Sequence, residues 1–294
     1  MSPSPHPLSI DAAGAEHPTR PALISAEKVF SFQELAQRTR WLRGALGRDR
    51  PLLRAGDCLP IIGRPSIDSV CSVYAALEEG LCLVPLHARW TRGEREDFLA
   101  RLGLATPWTP SLEPSAPAGR RALRDWESSM SLAILPTSGS TGRPKGVRLS
   151  RGAFLASAAA SARRLGTAEN DVGLLSLPTA HVGGLSILIR HLIARRPVVL
   201  PDGSGAFRAA EILETVRRHR VTSLSLVPTM LRRVLATGES VPPSLRCVLI
   251  GGAAAPSTLM DEARRRGWPV RATYGLTEAC SQVATQLGGP PSSA

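Results

Sequence analysis

Short apolar runs alternate with amphipathic helical patterns along almost all of the 294 residues, and this alternation limits the possible folds more than any other feature. Residues 131–135 and 247–250 have the composition of buried strands, whereas residues 151–165 and 257–266 have the apolar spacing of helices. Strands that alternate with helices imply βαβ units, in which mainly parallel sheets are covered by helices. Ligands of such sheets bind at the carboxyl ends of the strands. We therefore expect the chemistry of this chain in the loops that follow strands.

Capping-box spacing and apolar patterns predict where the helices and strands lie along the chain. Ser31 and Glu34 have the spacing of a helix-capping box, as have Thr91 and Glu94, and a helical pattern follows each pair. The predicted strands are 22–25 and 29–32, which form a hairpin, and 57–63, 81–86, 131–135, 172–177, 197–200, 222–226, 247–250 and 270–273. The other predicted helices are 66–79, 151–165, 184–194, 206–219, 229–236 and 257–266.

The charge of the chain is strongly positive, with 36 Lys+Arg against 24 Asp+Glu. Lysine occurs only at Lys28 and Lys145, so arginine supplies nearly all of the basic side chains. The arginines form scattered doublets near the ends of predicted helices, and the few aromatic residues do not interleave with them as a stacking platform for single strands requires. We therefore expect solvated helix faces with weak, salt-sensitive polyanion binding, and no specific nucleic-acid partner.

Composition excludes several other classes of protein. An apolar content of 43% is too high for a disordered chain. The most apolar stretch, residues 185–194, is short and contains Arg190 and His191, so no membrane span is expected. Five cysteines without CxxC spacing indicate neither a disulfide framework nor a zinc site. The start of the chain lacks the pattern of a secretory signal, and we expect a cytoplasmic protein.

The loop after the predicted strand 131–135 contains one of the two lysines. It reads TSGSTGRPKG from Thr137 to Gly146, with hydroxyl side chains and glycines around Lys145. Glycine lets the backbone approach an anion closely, hydroxyl and N–H groups donate to phosphate oxygens, and lysine adds a positive charge. Composition alone leaves open a polar loop that merely connects two elements. The loop is not a Walker A loop, because Gly146 stands where that loop has Ser or Thr.

Residues 137–147 resemble the phosphate-binding signature of the adenylate-forming superfamily, which comprises acyl- and aryl-CoA ligases, luciferases and the adenylation domains of peptide synthetases. Further segments resemble motifs of that superfamily in the same order: GLCLVPL at 80–86, SLPTAH at 176–181, VTSLSLVPTML at 221–231, GGAAAP at 251–256 and YGLTE at 274–278. The resemblance covers nearly the whole chain.

The resemblance implies an α/β fold that corresponds to the large N-terminal domain of the adenylate-forming enzymes. That domain has two helix-covered, mainly parallel sheets in a layered αβαβα arrangement. We expect one subdomain at about 1–130, with a Pro/Ser/Arg-rich connection at 105–129, and a second at about 131–294.

Two segments are most similar to the 2-succinylbenzoate–CoA ligases of menaquinone biosynthesis: HVGGLS at 181–186 and EACSQ at 278–282. A ligase for a different aryl or fatty acid remains an alternative. The reaction implied by the family joins a small-molecule carboxylate to ATP, giving an acyl adenylate and pyrophosphate, and CoA then displaces AMP. The resemblance therefore implies ATP, Mg²⁺ and CoA as partners of the site.

The resemblance also assigns residue roles. It implies catalytic roles for Lys145, Thr277, Glu278 and His181, with Thr277 at the α-phosphate, Glu278 as the Mg²⁺ ligand and His181 beside the acyl pocket. The implied nucleotide-binding residues are Thr137, Ser138, Gly139, Ser140, Thr141, Gly142, Lys145, Gly251, Gly252, Ala253, Tyr274, Gly275 and Thr277.

Each role has a structural alternative. Glu278 could cap a helix or pair with an arginine, His181 could be a structural histidine, and Tyr274 could belong to the core. Cys280 has no adjacent base, so it is expected to be a packing residue and not a nucleophile.

The sequence departs from the family after residue 278. Family members continue with an aspartate that binds the ribose and with a small C-terminal lid domain, whose lysine contacts the reacting carboxylate. Residues 1–294 contain neither, and Lys28 and Lys145 leave no lysine for that role. We expect a truncated or split ligase, with a separately encoded C-terminal domain as a possible partner. The alternative is a non-catalytic nucleotide-binding remnant, and the oligomeric state stays open.

Overall fold

A computed structural model describes residues 6–110, 118, 127–137, 143–202 and 207–286. Its helices are α1 Ile10–Glu16, α2 Phe32–Asp49, α3 Ile67–Glu78, α4 Arg92–Arg101, α5 Arg151–Leu165, α6 Val182–Ile193, α7 Ala209–Arg218, α8 Pro228–Ala236 and α9 Ser257–Arg265. Its strands are β1 Pro21–Ile24, β2 Val29–Ser31, β3 Cys58–Gly63, β4 Cys82–His87, β5 Ser131–Thr137, β6 Lys145–Ser150, β7 Gly173–Leu174, β8 Val198–Val199, β9 Ser223–Leu226, β10 Cys247–Ile250, β11 Val270–Leu276 and β12 Ser281–Thr285. A 3-10 turn at Thr277–Ala279 joins β11 to β12.

The described strands form two sheets. The larger has the order β12-β11-β10-β9-β7-β8-β1-β2, and its inner pairs are parallel. The outer pairs β1·β2 and β11·β12 are antiparallel. The smaller sheet has the order β3-β4-β5-β6, with β3, β4 and β5 parallel and β6 antiparallel. The predicted fold of two mainly parallel sheets is therefore confirmed.

Three groups of buried apolar side chains define the layers. The largest combines Leu83 of β4 and Val198 of β8 with α1, α2, α3, α5 and α6, so these helices lie between the two sheets. The second group covers the other face of the larger sheet with α7, α8 and α9. The third packs α4 against the outer face of the smaller sheet. This order of layers confirms the αβαβα arrangement.

The sheets do not follow the chain in two blocks. Strands β1 and β2 pair within the larger sheet, whereas β5 and β6 join β3 and β4 in the smaller one. The division into subdomains near residue 130 stays a prediction, and most of the predicted connection 105–129 lies outside the described residues. No helix in the described part of the chain is long and apolar enough to cross a membrane.

Most predicted elements are confirmed, and both capping boxes form. The Ser31 hydroxyl accepts from the Glu34 N–H at 3.2 Å, and the Glu34 carboxylate accepts from the Ser31 N–H at 2.8 Å. The corresponding contacts of Thr91 and Glu94 are 3.3 and 2.6 Å. Strand β10 and helix α5 have the predicted bounds.

Several elements differ from the prediction. The sequence did not predict α1, β6 or β12, and β7 and β8 are shorter than predicted. Strand β6 is mostly exposed, so it lacks the apolar alternation of a half-buried strand, and pairing with β5 defines it. Strand β11 continues to Leu276 instead of ending at Thr273, because β12 pairs with its last residues.

Candidate functional site

A groove lies at the carboxyl ends of the parallel strands β10 and β11. The turn after β10 lines one side, the end of β11 and the returning strand β12 line the other, and α5 contributes Ser161 and Arg164. Gly252, Ala253, Tyr274 and Gly275 face this groove, so the structure brings these predicted nucleotide-binding residues together.

Glycine is required where the walls of the groove approach each other. A Cβ on Gly275 would lie 2.0 Å from the Ser281 carbonyl oxygen, which only a shift of the backbone could relieve. A Cβ on Gly251 would lie 2.7 Å from a methyl group of Thr273, and Gly252 has φ +77°, where side chains are rare. These glycines allow the turn after β10 and the β11–β12 hairpin to close around one space.

The end of β11 exposes the polar part of the signature at 274–278. Tyr274 is 64% exposed, which excludes the alternative of a core tyrosine. Thr277 and Glu278 lie in the 3-10 turn, and Glu278 is exposed and forms no ion pair with another described residue. Cys280 and Ser281 follow with φ values of 57° and 97°, a conformation that non-glycine residues rarely adopt outside functional or over-determined sites.

The phosphate-loop segment leaves β5 at Thr137 and enters β6 at Lys145. These two residues pair across the hairpin, and the Thr137 hydroxyl donates to the Lys145 carbonyl at 3.4 Å. The Lys145 side chain is exposed, and β6 contacts the 3-10 turn that contains Thr277 and Glu278. The predicted phosphate ligands Ser138, Gly139, Ser140, Thr141 and Gly142 lie outside the described residues.

His181 caps the N-terminus of α6 without a side-chain capping bond. Its ring lies 5.3 Å from that of His87, centroid to centroid, at the carboxyl end of β4. Desolvation lowers the pKa of both imidazoles, with a smaller contribution from Arg89 at His87 and from His87 at His181, so the surroundings of both rings favour the uncharged form. The segment before His181 is tightly held, because a Cβ on Gly63 at the end of β3 would lie 2.6 Å from the Thr179 hydroxyl.

Sequence reasoning did not assign a role to Arg190 of α6. Its Nη1 donates to Gln282 Oε1 at 2.8 Å and to the Ser161 hydroxyl at 3.1 Å. Burial lowers the pKa of this guanidinium to about 10, and it has no carboxylate partner among the described residues. The signal was present in the sequence, because Arg190 interrupts the most apolar stretch of the chain.

Arg190 lines a cavity of about 170 Å³ between α5, α6 and the larger sheet. Small side chains leave this space open, among them Ala158, Ala162 and Gly173, and its lining is mainly apolar. Ser161 borders both the cavity and the groove, so the two spaces lie on either side of this residue of α5.

A metal ion at this site would need ligands from a bound substrate. The described residues contain no cluster of three or more His, Cys, Asp or Glu side chains that could hold one. Mg²⁺ commonly binds through one or two carboxylates together with substrate phosphates. The single exposed carboxylate of Glu278 fits that mode of binding.

Comparison with known proteins agrees with this geometry. Residues 105–294 match the family described as AMP-binding enzyme. The 2-succinylbenzoate–CoA ligase of Bacillus pumilus is 34% identical over 286 residues, which are 91% of this chain and 58% of the relative. The chain thus spans less than two thirds of the length of the curated relatives that it matches.

Two solved structures of the O-succinylbenzoate coenzyme A synthetase of Bacillus subtilis are similar to the chain. The complex with ATP and magnesium ion has a TM-score of 0.85 at 31% identity and covers 95% of this chain and 62% of that one. The complex with the acyl-adenylate intermediate has a TM-score of 0.83 at 29% identity, with 97% and 61% covered.

Proposed function

Because the chain belongs to the AMP-binding enzyme family, we propose that it is the ATP- and acyl-binding part of an ATP-dependent acid–CoA ligase. Its proposed substrate is an aromatic dicarboxylate, with 2-succinylbenzoate as the best candidate. The relatives that it matches bear the name of that ligase. The observation that carries the proposal within this chain is the half-buried Arg190 guanidinium that lines the aromatic-sized cavity.

The ATP side of the proposal rests on the groove and the hairpin beside it. In the adenylation step, a carboxylate oxygen bonds to the α-phosphorus and pyrophosphate leaves. Two anions must approach each other, so fixed donors and positive charge lower the barrier. Lys145 and the segment that begins at Thr137 would hold the β- and γ-phosphates, and Thr277 would donate to the α-phosphate. Glu278 would hold Mg²⁺, which neutralises phosphate charge when it is bound.

The adenosine and acyl groups would occupy the groove and the cavity, respectively. Adenine would stack against the exposed Tyr274, next to Gly251, Gly252 and Ala253. An apolar cavity of about 150 Å³ accommodates one benzene ring, so the cavity beside α6 has the size for a single aromatic ring. His181 would border the reacting end of the acyl group.

A dicarboxylate substrate would explain why the Arg190 guanidinium lines a mainly apolar cavity. One carboxylate of 2-succinylbenzoate is activated by ATP, and the other stays charged and must leave water. A buried carboxylate needs a partner, and a bidentate arginine is the strongest that a side chain offers. Among the described residues, Arg190 has the neutral side-chain partners Ser161 and Gln282 and no carboxylate, so we infer that its guanidinium is available for that second carboxylate.

Substitution of Arg190 by Gln tests this substrate class. Calorimetry would compare a non-hydrolysable 2-succinylbenzoyl adenylate analogue with an analogue that lacks the second carboxylate. We expect the Arg190→Gln chain to bind the dicarboxylate analogue about ten- to a hundredfold more weakly, because a charged hydrogen bond contributes roughly 1.5–3 kcal/mol. The other analogue should bind unchanged.

Arg163→Gln, on the exposed part of α5, is the matched control and should alter neither affinity. Equal weakening of both analogues by Arg190→Gln would contradict the role in substrate selection. It would favour the alternative of a ligase for a different aryl or fatty acid.

We propose that the protein acts in the cytoplasm, with CoA as the co-substrate of the second step. A C-terminal domain supplied in trans would complete the adenylation site. If the protein is instead a non-catalytic nucleotide-binding protein, it should bind ATP·Mg²⁺ without releasing pyrophosphate. Adding the C-terminal part of the Bacillus pumilus relative should not change that result.

A further inference from the structure

Two cysteines lie side by side at the end of the smaller sheet that is opposite the proposed site. Cys58 begins β3 and Cys82 begins β4, and the two residues are direct partners in the parallel register. Neighbouring strands lie about 4.8 Å apart, which is within the Cα separation of about 4.4–6.8 Å that disulfides bridge. Cys82 is fully buried, whereas Cys58 is partly accessible to solvent.

The surroundings of this pair stabilise the thiolate form of Cys58. Interaction with the Cys82 thiol lowers the pKa of Cys58 to about 7, and the nearby Arg148 guanidinium contributes to the shift. The same interaction and burial raise the pKa of Cys82. By contrast, burial raises the pKa of Cys71 and Cys280 to about 12, and in the described part of the chain neither thiol has a second cysteine as its register partner.

Cys58 lies at the edge of the smaller sheet and is partly accessible to solvent. Strand β3 is the edge strand of the described sheet, and Cys58 is its first residue. Backbone hydrogen bonds hold the starts of β3 and β4 together, because the Cys82 N–H donates to the Asp57 carbonyl at 2.8 Å and the Gly56 N–H donates to the Gly80 carbonyl at 2.9 Å. The two thiols therefore stay next to each other.

We propose that Cys58 and Cys82 form a redox-active dithiol that reacts with hydroperoxides and closes a disulfide between β3 and β4. The Cys58 thiolate attacks the peroxide oxygen and becomes a sulfenic acid, while the rest of the peroxide leaves as water or an alcohol. The Cys82 sulfur then attacks the sulfenic sulfur, and its proton leaves with the hydroxyl group as water. Two thiols and one hydroperoxide thus give one disulfide, one alcohol or water, and one further water.

This disulfide would be easily reduced. Side chains of directly paired parallel strands are not ideally placed for a disulfide, and strain makes the bond more reducible. The pair also lies apart from the groove, because β3 and β4 each rise by roughly 17 Å over six residues. Oxidation should therefore leave ATP binding unchanged, and the proposal does not depend on the proposed function.

The test uses the wild-type chain. A short treatment with one equivalent of hydrogen peroxide, followed by alkylation in denaturant and peptide mass spectrometry, should give a Cys58–Cys82 linked peptide. Dithiothreitol added before alkylation should abolish the linked peptide. Cys71, Cys247 and Cys280 should be found in the alkylated form with or without peroxide. In the Cys82→Ser chain, Cys58 should stop at the sulfenic acid and be trapped by dimedone.

A second measurement does not depend on oxidation. Phenylarsine oxide binds two thiols that lie close together, and it should protect Cys58 and Cys82 of the folded chain from alkylation as a pair. Iodoacetamide alone should modify Cys58 at least tenfold faster than Cys71 at pH 7. Absence of the linked peptide after oxidation, or equal alkylation rates of Cys58 and Cys71, would overturn the proposal in favour of two packing residues.

Discussion

Lys145 and Arg190 carry the same charge in opposite surroundings. Lys145 is exposed at the start of β6, and its proposed role at phosphate follows from the resemblance of residues 137–147 to a family signature, because the residue types alone also allow a connecting loop. Arg190 is half-buried beside a cavity whose walls come from α5, α6 and three strands. Its role could not be predicted from the sequence, because those small residues are far apart along the chain and only the fold brings them together.

Removal of the Lys145 side chain should affect ATP much more than AMP. The proposed contacts go to the β- and γ-phosphates, which AMP lacks. We expect Lys145→Ala to weaken ATP·Mg²⁺ binding by about ten- to a hundredfold, which corresponds to roughly 1.5–3 kcal/mol for a charged hydrogen bond. AMP binding should change by less than about threefold, and calorimetry measures both.

The chain offers a matched control in its only other lysine. Lys28 pairs with Glu34 at 3.0 Å and lies over the Phe30 ring, so Lys28→Ala should leave both nucleotides unaffected. Equal weakening of ATP and AMP by Lys145→Ala would argue against the phosphate role.

At the scale of elements, local signals predicted the interior of the fold better than its edges. The capping boxes and the buried strand β10 follow from side chains that are close in sequence. Strands β6 and β12 exist because a neighbouring strand pairs with them, and their mixed polar sequences gave no sign of it. The edge strands matter for function, because β6 begins with Lys145 and β12 carries Gln282.

The start of α6 depends on one glycine that sequence reasoning did not single out. A Cβ on Gly184 would lie 2.2 Å from the Pro178 carbonyl oxygen, within the segment that leads to His181. A Cβ on Gly183 would meet only the end of the Leu177 side chain at 3.1 Å. The helix therefore packs directly on the backbone of the segment that borders the proposed acyl pocket.

Alanine should change the free energy of unfolding differently at these two positions. Gly184→Ala should lower the free energy of unfolding by about 1–3 kcal/mol through overpacking and should weaken acyl-adenylate binding. Gly183→Ala should be neutral or stabilising by up to about 1 kcal/mol, because alanine favours the helix. Urea denaturation compares the two, and equal stability of both variants would contradict the close packing.

At the scale of the whole molecule, part of the arginine excess has a structural use. Arg195 donates to the Pro7 carbonyl at 2.9 Å, and Arg151 donates to the Leu77 carbonyl at 2.8 Å, so each joins distant parts of the chain. Composition predicted solvated arginine faces. The structure confirms this for the doublets at 163–164, 217–218 and 232–233, which are exposed. It also buries Arg43, Arg151 and Arg195 as links between elements, which no local pattern could indicate.

The stability of the whole chain should fall in mild acid because of His191. Its Nδ1 donates to the Ile187 carbonyl at 2.8 Å, and burial lowers the pKa of the ring from 6.5 to about 4. The unfolded chain binds this proton at a higher pH than the folded chain does. The free energy of unfolding should therefore decrease from pH 6.5 to pH 4 by at most about 1.4 kcal/mol per pH unit for this group.

Urea denaturation at several pH values measures this dependence. His191→Gln keeps an uncharged donor and should make the decrease between pH 6.5 and 4 shallower. His17→Gln, at an exposed position, should leave the slope as in the wild type. The same slope in the His191→Gln and wild-type chains would show that other groups cause the acid sensitivity.

We propose that one bound acyl adenylate places its adenosine in the groove and its acyl group in the cavity, on either side of Ser161. A crystal structure of the chain with a non-hydrolysable 2-succinylbenzoyl adenylate analogue tests it most directly. We expect adenine against Tyr274, the phosphate mimic near Thr277, the aromatic ring between α5 and α6, and a carboxylate in contact with Arg190. An analogue bound elsewhere, or a cavity still empty at saturating analogue, would contradict the claim.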